Sequence, residues 1–143
     1  MLTVRGLDLH YGNSKILHGV SIEANTGQIT AVMGTNGVGK TSLIKALSGM
    51  HNRTKGDIFL DDEAIGILPS HVLARKGIAV VPQGREIFPL LTVQENLEIG
   101  FSCLPNHNRT IKDEIFELFP ILKEMQSRRG GDLSGGQQQQ LAI

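Results

Sequence analysis

Eight consecutive residues, Gly34-Thr35-Asn36-Gly37-Val38-Gly39-Lys40-Thr41, fit the pattern G-x-x-x-x-G-K-[ST], a spacing suited to gripping a polyphosphate. Glycines let the backbone curl until successive N–H groups point inward and form a concave anion nest. A helix opening at the end of such a loop adds its unpaired amides and positive dipole end at the same point. Lys40 then brings a full positive charge to the β- and γ-phosphates, and the Thr41 hydroxyl is a ligand for Mg²⁺. Ser42, one step further, reaches a phosphate oxygen. The pattern arises by chance in about one chain in a hundred of this length. An apolar run before it and a helical one after it make coincidence rarer still.

A second nest lies near the far end of the chain. Leu133-Ser134-Gly135-Gly136-Gln137 sets a hydroxyl donor and two glycines before a helix, which again suits close backbone approach to an anion. Two further residues stand out by their type and place. Tyr11, the single tyrosine, follows the first predicted strand. Gln83, within Val81-Pro82-Gln83-Gly84-Arg85, follows an apolar run.

Composition narrows the partners. Lys plus Arg and Asp plus Glu number 14 each, so no overall basic field draws in nucleic acid, and Arg128-Arg129 is too short to change that. One cysteine, Cys103, excludes an internal disulfide and a multi-cysteine metal site, and is read as a small packed residue. The start, Met1-Leu2-Thr3-Val4-Arg5-Gly6, lacks the basic-then-apolar pattern of a secretory signal. No run of ~18 apolar residues is present to span a bilayer. Service to a membrane is therefore expected from the aqueous side.

The elements that must position these residues follow from periodicity. Residues 2–9 and 16–23 alternate loosely and predict antiparallel strands joined by a turn at Tyr11-Gly12-Asn13. Residues 28–33, Gln-Ile-Thr-Ala-Val-Met, and 77–81, Gly-Ile-Ala-Val-Val, predict strands covered on both faces, as in a parallel sheet. Residues 41–47 carry Leu43, Ile44 and Leu47 at helical spacing, closed by Gly49. Residues 57–60 predict a strand and 69–76 a helix. Residues 92–99 and 110–119 predict helices with Thr92 and Thr110 as N-caps, and 121–127 continues in that style. The layout is an α/β fold with a mixed sheet first and a helical part second.

The two nests, with Tyr11 and Gln83 between and before them, resemble the nucleotide-binding subunit of an ABC transporter, and the resemblance covers the whole chain. It implies a P-loop ATPase fold with an N-terminal antiparallel β-subdomain, a central mixed or parallel sheet, and a helical subdomain. It divides the chain into a β and phosphate-loop core over 1–83, a helical subdomain over 84–133, and the signature with the start of its helix over 133–143. It implies ATP and Mg²⁺ as cofactors, with Tyr11 stacking on adenine and Gln83 as the Q-loop glutamine. Ser134, Gly135, Gly136 and Gln137 match the signature that meets the γ-phosphate held by a second subunit in a head-to-tail dimer. It also implies integral membrane permease subunits, a substrate-binding protein acting indirectly, and a cytoplasmic place on the inner face of the membrane.

Within the family, Val81-Pro82-Gln83-Gly84-Arg85-Glu86-Ile87-Phe88-Pro89, Leu91–Leu97 and Glu117-Leu118-Phe119-Pro120 resemble subunits serving branched-chain amino acids and related amides. The run Arg128–Ile143 is similar to urea-transport subunits, and Gln83 leans the same way, because branched-chain versions tend to carry Glu there. The chain stops at Ile143, inside the helix following the signature. The family's strand ending in Asp then Glu, its D-loop and its switch histidine find no match, since His10, His18, His51, His71 and His107 all precede the signature. A truncated product with little or no ATPase turnover of its own, and an unpaired apolar edge beside the phosphate-loop strand, are the expectations. A non-catalytic nucleotide-binding remnant is the alternative. A DNA-repair ATPase is disfavoured, because 94 positions separate Lys40 from Ser134 without the heptads of a coiled coil.

Overall fold

β1 (Leu2–Tyr11) and β2 (Ser14–Ala24) form the expected antiparallel hairpin, turned at Gly12 and Asn13. The computed structural model describes residues 1–104 and 110–143. His107 and the Cys103 side chain therefore lie outside the described residues. β1 is the middle of the sheet. Its second edge takes β3 (Lys55–Leu60), and β4 (Glu63–Ala64) returns on β3, giving the order β2-β1-β3-β4 with every pairing antiparallel. The β3–β4 turn is Asp61-Asp62, both at positive φ (47° and 66°), the conformation whose twist matches a two-residue hairpin.

The register of β1 against β2 slips between Val4 and His10, and Asp8 braces that irregular stretch. Its carboxylate accepts from the Gly19 N–H at 2.6 Å and pairs with Lys15 Nζ at 2.7 Å. Its backbone oxygen accepts from Thr54 N at 2.9 Å.

One face of the sheet is sealed by α1 (Lys40–Leu47), whose Leu43 and Ala46 are buried with Val4, Leu7, Leu9, Leu17 and Ile58. α2 (Ser70–Arg75) adds Leu73 to the same cluster. Gly49, at φ 69°, closes α1 just beyond its C-cap Ser48 as the sequence predicts.

Two predicted strands do not form. Residues 28–33 and 77–81 have no strand partner among the described residues, and Ile29 and Met33 are 99% and 88% exposed. The central parallel sheet inferred from them is thus not built among the described residues. An apolar run acquires a ladder and two covered faces only from neighbouring strands, and none is available here.

The chain clusters into two units, Met1–Val80 and Val81–Ile143. The second holds α3 (Val93–Ile99), a 3₁₀ turn (Gly100–Cys103), α4 (Asp113–Leu118), α5 (Pro120–Glu124), a 3₁₀ turn (Gly130–Asp132) and α6 (Gly135–Ala142). Thr92 caps α3 as predicted, and Glu95 completes a capping box. Thr110 caps nothing. α4 begins at Asp113 after Lys112, and acidic Asp113 and Glu114 in its first turn favour the helix start there. Pro120 at the first turn of α5 separates it from α4. Val93, Leu122, Leu133 and Leu141 form the core of this unit. No helix among the described residues is long and apolar enough to cross a membrane.

The Lys15 ion pair and then the Gly19 amide hold the Asp8 carboxyl below its ordinary value. A depressed native pKa means that its contribution is complete above the unfolded carboxylate's pKa and is lost as pH falls through the native one. Acid titration of the unfolding midpoint should therefore show an acid limb that Asp8→Asn flattens, while the neutral-pH stability of the variant is lower than that of the parent.

Candidate functional site

Residues 34–39 form an irregular exposed loop running directly into α1, so the phosphate-gripping pattern sits before a helix as expected. Gly39 is the hinge between loop and helix. It adopts φ 99° at the N-cap of α1 and its carbonyl accepts the first helical bond, from Leu43 N at 2.9 Å. A Cβ at this position would lie 2.7 Å from Leu17 Cδ2 and 3.2 Å from Ile16 Cγ2. Only glycine satisfies both the left-handed backbone and this close approach to β2.

The amino terminus of α1 receives no side-chain cap, and its first turn holds no acidic residue. Its leading N–H groups lack intrahelical acceptors by geometry, which leaves a positive concavity open to an anion. Lys40 folds its ammonium over this loop, with Nζ donating to Gly34 O at 2.8 Å and to Thr35 O at 2.7 Å. The charge is thereby held among the loop's own carbonyls, where a polyphosphate oxygen would replace them as acceptor. Thr41 is exposed on the first turn and Ser42 is half-buried beside it. No cluster of three His, Cys, Asp or Glu side chains able to hold a metal occurs among the described residues. A magnesium ion there would depend on phosphate oxygens and the Thr41 hydroxyl, a donor set of hard oxygens that suits it.

Tyr11 ends β1 in the same unit, paired with Ser14 across the hairpin. The residue is 42% exposed and one face of its ring stacks on His51.

Gln83 and Ser134–Gln137 belong to the second unit. Gln83 is exposed in a turn, followed by Gly84, Arg85 and Glu86 at φ 94°, 73° and 50°. Asn96 fixes the stretch after them: its Oδ1 accepts from Phe88 N at 2.8 Å, and its Nδ2 donates to Phe88 O at 3.0 Å and Thr92 O at 2.8 Å. The signature is anchored by buried Leu133. Ser134 is also the N-cap of α6. Its backbone N–H donates to Gln137 Oε1 at 2.8 Å and its hydroxyl accepts from Gln137 N at 3.4 Å. This reciprocal cap takes the third helical amide and leaves those of Gly135 and Gly136 at an exposed helix end. Sequence reasoning saw the nest and missed the cap, although S-x-x-Q is its signal.

A second missed contact lies alongside. Arg85 Nη1 donates to Gln138 Oε1 at 2.9 Å, and Gln138 Nε2 donates to Gly130 O at 3.3 Å. A Cβ at Gly135 would lie 3.1 Å from Arg85 Nη1. The segment after Gln83 is therefore tied by side chains to the first turn of α6.

Comparison with known proteins gives one answer. A family model described as ABC transporter matches residues 17–143. The chain is 42% identical over 144 residues to a high-affinity branched-chain amino acid transport ATP-binding protein of Pseudomonas aeruginosa, covering 100% of this chain and 62% of the relative. It is 37% identical over 146 residues to a probable branched-chain amino acid transport ATP-binding protein of Archaeoglobus fulgidus, covering 100% and 61%. The crystal structure of the ADP conformation of the ATP-binding cassette MJ1267 superposes with a TM-score of 0.81 at 29% identity, covering 100% of this chain and 62% of that one. The chain thus spans about three fifths of the length of these relatives.

Replacing Gly39 with Ala forces a strained φ and a clash with Leu17, and should cost roughly 2 kcal/mol in urea unfolding. Leu133→Ala opens a cavity beneath the signature and should cost about 2–4 kcal/mol. The same urea titrations check both.

Proposed function

Because the chain belongs to the ABC transporter family, we propose that it binds Mg-ATP as the energy-coupling ATPase subunit of an importer. The observation that carries this reading is the uncapped amino terminus of α1 under the Lys40 ammonium. Gly34, Thr35, Asn36, Gly37, Val38 and Gly39 supply the loop amides, and Lys40 neutralises the β- and γ-phosphates. The Thr41 hydroxyl holds Mg²⁺, and Ser42 reaches a phosphate oxygen. Tyr11 offers its ring to the base. Gln83 orients the magnesium shell or the attacking water. Ser134, Gly135, Gly136 and Gln137 serve the γ-phosphate bound by a second subunit, through the two outward amides that the Ser134–Gln137 cap leaves.

The partners follow from this role: a second ATP-binding subunit in head-to-tail arrangement, integral membrane permease subunits, and indirectly a substrate-binding protein. The place is the cytoplasmic face of the membrane, reached peripherally. Urea or a related amide is the proposed cargo, on the strength of Gln83 and the run 128–143. A branched-chain amino acid is the second reading, favoured by the two branched-chain relatives. Cargo does not touch the nucleotide machinery, so the two readings share every residue above.

Calorimetry of residues 1–143 with Mg-ATP should show magnesium-dependent binding. Lys40→Ala removes a charge-assisted contact and should weaken it by about two orders of magnitude. Unchanged affinity in that variant would remove the basis for the proposal.

A further inference from the structure

The ring of His51 lies against that of Tyr11, centroids 4.4 Å apart and planes 19° from parallel. His51 is not a neighbour of Tyr11 in sequence. It follows the carboxyl end of α1, where its backbone N–H donates to Lys45 O at 3.1 Å. Its Nε2 lies 3.0 Å from His10 O. A carbonyl only accepts, so Nε2 carries the hydrogen and the imidazole is pinned in the plane that lets it stack. The surrounding strand is fixed in turn. Thr54 Oγ1 donates to Asp8 O at 3.1 Å and therefore accepts from His10 Nδ1, 2.8 Å away.

We propose that His51 is a positioning residue for nucleotide binding: it stacks beneath one face of Tyr11 and holds that ring so that the opposite face receives the base. This rests on the reading of Tyr11 as the base-stacking residue. A phenol ring at the end of a strand, 42% exposed, otherwise rotates about χ1 and loses that freedom when a base arrives. A partner ring already in place removes this cost before binding, and two stacked rings present a deeper π surface than one. His51 also follows the carboxyl end of the helix whose amino terminus faces the phosphates. One element, α1, therefore sets both the phosphate nest and, through His51, the base platform. His51 lies beyond the carboxyl end of α1 and the glycine-rich loop lies at its amino end, so the contribution of His51 is to the base end of the ligand.

The test compares Mg-ATP with magnesium tripolyphosphate, which has the phosphates and no base, by calorimetry on the 143-residue chain. His51→Ala should weaken Mg-ATP by about 3- to 10-fold and leave tripolyphosphate unchanged, while His51→Phe, which keeps a ring, should stay within about twofold of the parent. Intact tripolyphosphate binding also shows that His51→Ala is folded. The chain holds one Tyr and no Trp, so tyrosine emission reports Tyr11 directly and should change less on adding Mg-ATP to His51→Ala than to the parent. Equal weakening of both ligands in His51→Ala would mark a merely structural role and overturn the proposal. So would parental Mg-ATP affinity in His51→Ala when Tyr11→Ala is weakened. Parental affinity in Tyr11→Ala would instead overturn the base-stacking reading itself, and this proposal with it.

Discussion

The proposed nucleotide site rests on a single close approach, the backbone of Gly39 against Ile16 and Leu17 of β2. It places the start of α1 on the hairpin whose turn is preceded by Tyr11, so the loop 34–39 and the proposed base platform share one support. The sheet makes that support stiff. β1 is bonded on both edges, and Leu43 and Ala46 of α1 are buried over it with Leu7 and Leu9. Dense apolar packing transmits small displacements. A side chain at residue 39 would therefore shift α1 on the sheet and move every amide that the loop presents.

The helix starts of this chain divide by how they are closed. α3 and α6 carry complete capping boxes, Thr92 with Glu95 and Ser134 with Gln137. α1, also preceded by a glycine loop, carries none. An uncapped terminus is less stable by itself, and here the Lys40 ammonium occupies the loop beside it through two carbonyls. The result is a terminus whose amides remain free for an incoming anion, and a cation already in place. α6 is intermediate. Its cap satisfies the third amide only, so the helix is fixed while its first two donors stay outward.

Much of this was legible in the sequence because it is local. The hairpin, α1, the Gly49 terminus and the Thr92 cap follow from alternation, helical spacing and turn chemistry within a few residues. The failures are equally physical. Residues 28–33 read as a buried strand because their side chains are apolar, but residue type does not reveal whether the neighbouring strand is at hand. Thr110 had the right chemistry for a cap and lost to Asp113 and Glu114, whose charges favour a later start. The Arg85–Gln138 bond and the Tyr11–His51 stack join residues 53 and 40 positions apart. Such pairs appear only once the chain has folded. Ser134 shows a subtler limit: one serine serves both a nest and a cap, and recognising the first concealed the second.

The three successive left-handed residues at Gly84, Arg85 and Glu86 carry a further consequence. Glycine adopts that conformation freely, whereas Arg85 and Glu86 each hold it at a cost on the order of 1 kcal/mol. The Arg85 guanidinium bonded to Gln138 counters part of that cost. Backbone amides here should exchange with deuterium sooner than those of α3 or α6, because relaxing the turn releases strain instead of breaking a helix. The strained backbone just after Gln83 is thus held between the Arg85–Gln138 bond on one side and the Asn96 bonds to Phe88 on the other.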